Sequence, residues 1–187
     1  SLLEQLQDVA QYPDIKVEAV NKGSQIVAAC KEINTFPSLK TAQEVLDWQS
    51  DHVLEDSWRQ HKVRRDIQGI FDASVALNTM DSIKLAFNIL EGQWDRDELI
   101  SGKVKEKSSV LLAACTEKGT RESLGLAWSI VEWEYGVIES YRGGPRKALA
   151  DVDLVAGAYE KMQTTEALEV AQRILEWKRA HTSDNKD

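Results

Sequence analysis

The chain has 187 residues, 42% of them hydrophobic and 29% charged, a balance that suits a soluble folded protein with one sizeable core or a short array of repeats. Its net charge of -8 excludes a protein that coats nucleic acid over its whole surface, though not one with a local basic strip. Only 3 prolines and few β-branched runs point to an all-α fold, and no apolar run nears the roughly 18 residues that a membrane helix needs.

Residues Ser1 to Tyr12 read as the tail of an earlier repeat, because Leu2, Leu3 and Glu4 match Val45, Leu46 and Asp47 at an offset of 43. On that reading residues 1–21 are an N-terminal cap or partial repeat, and Pro13 closes its helix. The chain is then either cut from a longer array or begins on a degenerate cap, and Ser1 at its head leaves room for a removed leader. Four helical hairpins are expected next, over 22–60, 61–102, 103–144 and 145–180, before a polar tail, 181–187, expected to fray. Together they form a single helical-repeat domain, 1–187.

In the first hairpin, helix A carries the stripe Ile26, Val27, Cys30 and Ile33, and helix B carries Leu39, Ala42, Val45, Leu46 and Val53. In the second, Gly92 stands where other hairpins have Trp, with Trp94 close by to fill the space, and Ser101-Gly102 breaks the chain. The third continues its stripe through Ala127, Val131, Tyr135 and Ile138. Arg142-Gly143-Gly144-Pro145 is the strongest turn before the fourth.

These hairpins repeat one another. Ile26 to Trp48, Ile70 to Gly92, Leu111 to Trp133 and Val155 to Trp177 align without gaps, at successive offsets of 44, 41 and 44. Such periods mark stacked helical hairpins. One column is Thr35, Thr79, Thr120 and Thr164, where a second helix should start, since a Thr hydroxyl can accept from an open backbone N–H. Pro37, Asp81, Glu122 and Glu166 follow in its first turn, where acids suit the helix dipole. Small residues fill three columns: Ala29, Ala73, Ala114, Ala158; Ser38, Ser82, Ser123, Ala167; and Ala42, Ala86, Ala127, Ala171. All three are expected at the crossing of two close helices. Asp47, Glu91, Glu132 and Glu176 make an acidic column, followed by Trp48, Trp133 and Trp177, read as packing between repeats.

The segments LLAACTEKGTRESLGLAWSIVEW and VAGAYEKMQTTEALEVAQRILEW resemble pentatricopeptide and tetratricopeptide hairpins. The shared pattern is a small-residue helix A ending in Ala-Cys or Ala-Tyr, a Gly-centred or polar turn, then Glu-Ser-Leu or Glu-Ala-Leu on helix B. The period of 41 to 44 is longer than the mid-thirties of those families. The resemblance implies a right-handed α-solenoid that binds RNA or protein along its concave face. The positions that read bases in pentatricopeptide repeats align with Gly23, Ile67, Ser108 and Val152, a set with little hydrogen-bonding capacity.

Basic residues recur where each helix A begins: Lys22, Arg64 with Arg65, Lys105, and Arg146 with Lys147. Cations at a helix N-terminus work against the dipole, so helix stability does not explain them. Stacked hairpins would set them in a row able to hold phosphates or an acidic peptide. A solvated face interleaved with Asp66, Glu106, Asp151 and Asp153 is the competing reading. His52, Glu55, Asp56 and His61 have ligand-like spacing, but no second helix offers a matching set, so no metal or cofactor is expected. Cys30 and Cys115 share a column, which predicts two separated, buried thiols and an intracellular, reducing compartment. No phosphate loop, zinc-type spacing or nucleophile set is recognisable. The sequence therefore predicts a non-enzymatic scaffold or adaptor for a partner protein, with RNA as the alternative ligand and small molecules not expected.

Overall fold

The computed structural model describes residues 13–52, 57–96, 101–139 and 146–183, and eight helices run through them with no strand among the described residues. In chain order these are α1 Pro13–Ile33, α2 Phe36–His52, α3 Ser57–Leu77, α4 Met80–Arg96, α5 Ser101–Lys118, α6 Arg121–Glu139, α7 Arg146–Glu160 and α8 Thr165–Ser183. The chain divides into two compact units, one holding α1 to α4 and the other α5 to α8, with the boundary at Arg96 and Asp97.

The four hairpins turn on one recurring joint. Helix A stops at a residue with positive φ: Asn34 at 48°, Asn78 at 51°, Gly119 at 60° and Gln163 at 54°. This left-handed residue reverses the chain. The next residue is the Thr of the repeated column, and it caps helix B. The backbone N–H three residues on donates to the Thr hydroxyl in every case: Ser38 to Thr35 at 3.4 Å, Ser82 to Thr79 at 3.1 Å, Ser123 to Thr120 at 3.1 Å and Ala167 to Thr164 at 3.2 Å. In the first three the bond is returned. The N–H groups of Thr35, Thr79 and Thr120 each donate to the Oγ of that Ser at 3.0 Å. This is a capping box with Ser doing the work more often done by Glu or Gln. Ser82 and Ser123 are buried because each hydroxyl is spent inside the joint, donating in turn to the Thr carbonyl at 3.0 Å.

Packing follows chain order within each unit. In the first, α1 packs on α2, α2 on α3 and α3 on α4, and α1 also meets α3 while α2 meets α4. In the second, α5 packs on α6, α6 on α7 and α7 on α8, and α5 meets α7. Two hairpins thus lie side by side in each unit, helix A against helix A. On the B helices Ala42, Ala86, Ala127 and Ala171 are buried in the packing, none more than 2% exposed. Leu39, Leu46, Ile83, Leu90, Leu124 and Val131 fill the space around them and are fully buried.

Several expectations change. The Ala29 column does not lie at the crossing: Ala29 is exposed, and Ala73, Ala114 and Ala158 are half-buried. A small side chain fits a tight crossing and an open flank equally well, and here it marks the flank. Pro13 is the first residue of α1, since proline suits the first helical turn, where no N–H partner is required. Helix α1 then runs unbroken past Lys22, so the first hairpin begins nine residues earlier than the periodicity suggested. Ile33 is 63% exposed because it is the last residue before the Asn34 turn. Ser101 and Gly102 begin α5. The first residues of the expected tail, His181 to Ser183, continue α8, where the Thr182 hydroxyl donates to the Lys178 carbonyl at 2.7 Å. Residues 1–12, the Arg142–Pro145 turn and the end of the tail lie outside the described residues.

Candidate functional site

Lys22, Arg64 and Arg65 do not lie where an A helix begins, because α1 starts at Pro13 and α3 at Ser57 and all three residues fall mid-helix; Lys22 and Arg65 are exposed and Arg64 is half-buried. Lys22 lies on α1 and the two arginines on α3, helices that pack side by side in the first unit. Lys105 and Arg146 lie in the first turns of α5 and α7, and their side chains fall outside the described set. Lys147 is turned inward. Its Nζ donates to Glu134 Oε1 at 2.7 Å and to Asp151 Oδ2 at 2.6 Å, and it lies 3.5 Å from Ser108 Oγ.

That ion pair belongs to a polar joint built from three helices. Glu134 on α6 is shut away from solvent, with 0% of its side chain exposed. Burial pushes its carboxyl above the ordinary range, while hydrogen bonds from Lys147 and Ser108 and the Lys147 charge pull the other way. Burial disfavours the Lys147 ammonium, but bonds to Asp151 and Glu134 outweigh it and raise its pKa. Glu134 Oε2 has no hydrogen-bond partner.

The first unit carries different side chains at the three matching positions. Gln49, Lys62 and Asp66 precede Glu134, Lys147 and Asp151 by a constant 85 residues. Gln49 is as buried as Glu134, and its Nε2 donates to the Val20 carbonyl at 2.7 Å and to Ser24 Oγ at 3.5 Å. A Cβ on Gly23 would come within 2.6 Å of that nitrogen, which is why the position is glycine. Asp66, half-buried on α3, is pushed up by burial, against a Ser24 hydrogen bond and the charges of Lys62, Lys31 and Arg65. Two of the four positions aligned with base-reading residues thus belong to packing joints, Gly23 beneath Gln49 and Ser108 beside Glu134.

Of the Trp column, Trp48 is buried, while Trp133 and Trp177 are half-buried. Trp177 on α8 meets Trp128 and Tyr135 of α6 edge to face, with centroids 5.2 and 5.0 Å apart. His181 stacks on Trp177 at 4.0 Å, and its Nδ1 lies 2.7 Å from the Trp177 carbonyl. The rings touch one another, so the cluster serves to join α6 to α8.

Cys30 and Cys115 are free and buried, as expected, and burial pushes the Cys115 thiol up to about 11. Among the described residues no group of three or more His, Cys, Asp and Glu is set to hold a metal. Of the ligand-like set, Glu55 and Asp56 and the side chain of His52 lie outside the described residues, and His61 is exposed. No described helix is long and apolar enough to cross a membrane.

The missed residues had a partial signature. Glu134 follows the acidic and Trp columns in the same register as Gln49, so the pair was visible as an alignment column. Its burial was not, because a polar residue one step past a core column reads as solvent-facing. No protein-family model matches the chain, and no curated protein is similar to it in sequence.

Proposed function

We propose that the chain is a non-enzymatic helical-repeat scaffold, a right-handed α-solenoid of four hairpins that holds an acidic segment of a partner protein on its helix A layer. The observation that carries this reading is the shared joint: four hairpins with the same left-handed stop, the same Thr cap and helix A packed on helix A in each unit. Repeats of this kind build extended binding surfaces because each unit contacts only its neighbours. Lys22 lies midway along α1 and Arg64 and Arg65 midway along the neighbouring α3, while Lys105 and Arg146, at the aligned sequence positions, lie near the starts of α5 and α7. Glu134, fully buried, is held by Lys147 at a contact between helices, which supports a packing role over a chemical one. The buried thiols fit a reducing compartment.

The test measures binding of a fluorescent Glu/Asp-rich peptide by anisotropy at low salt, with single-stranded RNA as the second probe. Lys22→Glu with Arg65→Glu should abolish peptide binding and leave the thermal unfolding midpoint in place. Unchanged peptide binding refutes the basic row. Binding of RNA alone, with steep salt dependence, would replace the peptide reading with the pentatricopeptide-like one.

A further inference from the structure

Gln49 and Glu134 hold matching places in the two units, yet only one of them is a carboxyl. Gln49 shows that an amide of the same length fills the matching place on α2, fully buried and bonded through its Nε2 to α1 of its own hairpin. The fold therefore does not require a charge there. In the second unit the place is taken by Glu134, whose ion-pair partner Lys147 comes from the following hairpin and is shared with Asp151 of its own helix. Glu134 is thus the centre of the contact between α6 and α7, and Lys147 has a second partner whichever state Glu134 is in.

We propose that the hairpin-to-hairpin joint of the second unit is proton-linked, so that a proton taken up by Glu134 draws α7 and α8 more tightly onto α5 and α6, and its loss loosens them. The direction follows from linkage. When the joint opens, Glu134 meets water and titrates as an ordinary glutamate. When it is closed, burial holds the proton more tightly. A group whose closed-state pKa is raised stabilises the closed state fully below its ordinary pKa, and that gain is lost as pH rises through the raised value. Acid therefore shuts this joint and neutral pH relaxes it.

The groups that face Glu134 set the size of the effect. Ser108 of α5 donates to it, Lys147 of α7 favours its ionised form, and Asp151 of α7 opposes that form. Lys107, buried on α5, is the neighbouring cation on that helix. From α8, His181 and Trp177 abut Tyr135, the residue after Glu134, so the His181 ring lies close by and needs its own control. Protonating Glu134 also removes a buried negative charge that Lys147 compensates through one oxygen only, since Oε2 has no hydrogen-bond partner.

Native-state hydrogen exchange on the full chain tests this between pH 5 and pH 8, corrected for the intrinsic pH dependence of exchange. The opening constant of the α7 and α8 amides should rise several-fold with pH in the natural chain. It should be flat in Glu134→Gln, which mimics the protonated form, and should keep its slope in His181→Gln. A flat natural profile, or a slope that survives Glu134→Gln, overturns the proposal. A carbon NMR titration of the Glu134 carboxyl in the unaltered protein decides the matter without any variant: a midpoint above that of free glutamate supports the linkage, and an ordinary one ends it.

Discussion

Ala167 occupies the one position where the fourth joint departs from the other three. Elsewhere that position is Ser, whose Oγ accepts from the Thr N–H at 3.0 Å and donates to the Thr carbonyl at 2.8 to 3.0 Å. In the fourth joint Thr164 keeps its bond from Ala167 N–H at 3.2 Å but receives nothing back from that side chain. Ala167→Ser should supply the missing bond. Adding one intramolecular hydrogen bond stabilises by about 0.5–1.5 kcal/mol. Thr164 is exposed and water already reaches its N–H, so the gain belongs at the lower end, about 0.5–1 kcal/mol. The converse changes, Ser82→Ala and Ser123→Ala, should each cost about 0.5–1.5 kcal/mol, the usual range for a lost hydrogen bond. Two compact units need not unfold together, so a single midpoint is a poor readout. Amide exchange resolves each joint instead: the Thr164 amide should slow in Ala167→Ser, and those of Thr79 and Thr120 should quicken in the Ser→Ala variants. If the Thr164 amide exchanges no more slowly while both Ser→Ala variants leave stability unchanged, the capping account is wrong.

Other outcomes follow from the same geometry. Lys147→Met should destabilise the second unit by on the order of 2–4 kcal/mol in urea unfolding, less than a fully interior pair because Lys147 keeps 23% exposure. A loss below that of a typical surface substitution would show that the pair contributes little. Leu168 is 49% exposed, whereas its counterparts Leu39, Ile83 and Leu124 are 0% exposed. Leu168→Ala should therefore cost under about 1 kcal/mol and Leu124→Ala about 2–5 kcal/mol, a contrast that equal losses would contradict. A Cβ at Gly119 would meet nothing nearer than Thr116 O at 3.8 Å, so Gly119→Ala should lose only the backbone penalty of about 1–2 kcal/mol. Gln163→Gly should gain stability by relieving the same penalty. The Cys115 thiol, pushed up to about 11, should resist a disulfide reagent at pH 8 until the second unit unfolds, and rapid labelling of the folded chain would refute its burial.

What could be read from the sequence was what is local. The Thr column announced the helix starts because a cap and the amide it serves lie within four residues. Gly119 announced its turn, but Asn34, Asn78 and Gln163 hid the equivalent ones, since a left-handed Asn or Gln looks like any polar residue in a list. The Ser column was legible as small and not as a hydrogen-bonding partner. Ala29 and Ala42 looked alike in sequence, and only the packing of neighbouring helices separates the exposed flank from the buried crossing. Lys147 has a stem long enough to serve either an outer row or an inner pair. What decides between them is Glu134, which is 13 residues away and on another helix.

Because everything that turns the chain between Cys115 and Ser123 is contained in nine consecutive residues, the corner travels with its own stretch of sequence. A segment of 41 to 44 residues cut within a helix, away from the Thr column, would carry a complete corner wherever it were spliced. Lengthening such a protein calls for no new turn, only for a fresh flank that its neighbour can accept. The demanding part of any added segment is therefore the partner chosen for the residue at the place of Glu134, which reaches Lys147 of the next hairpin.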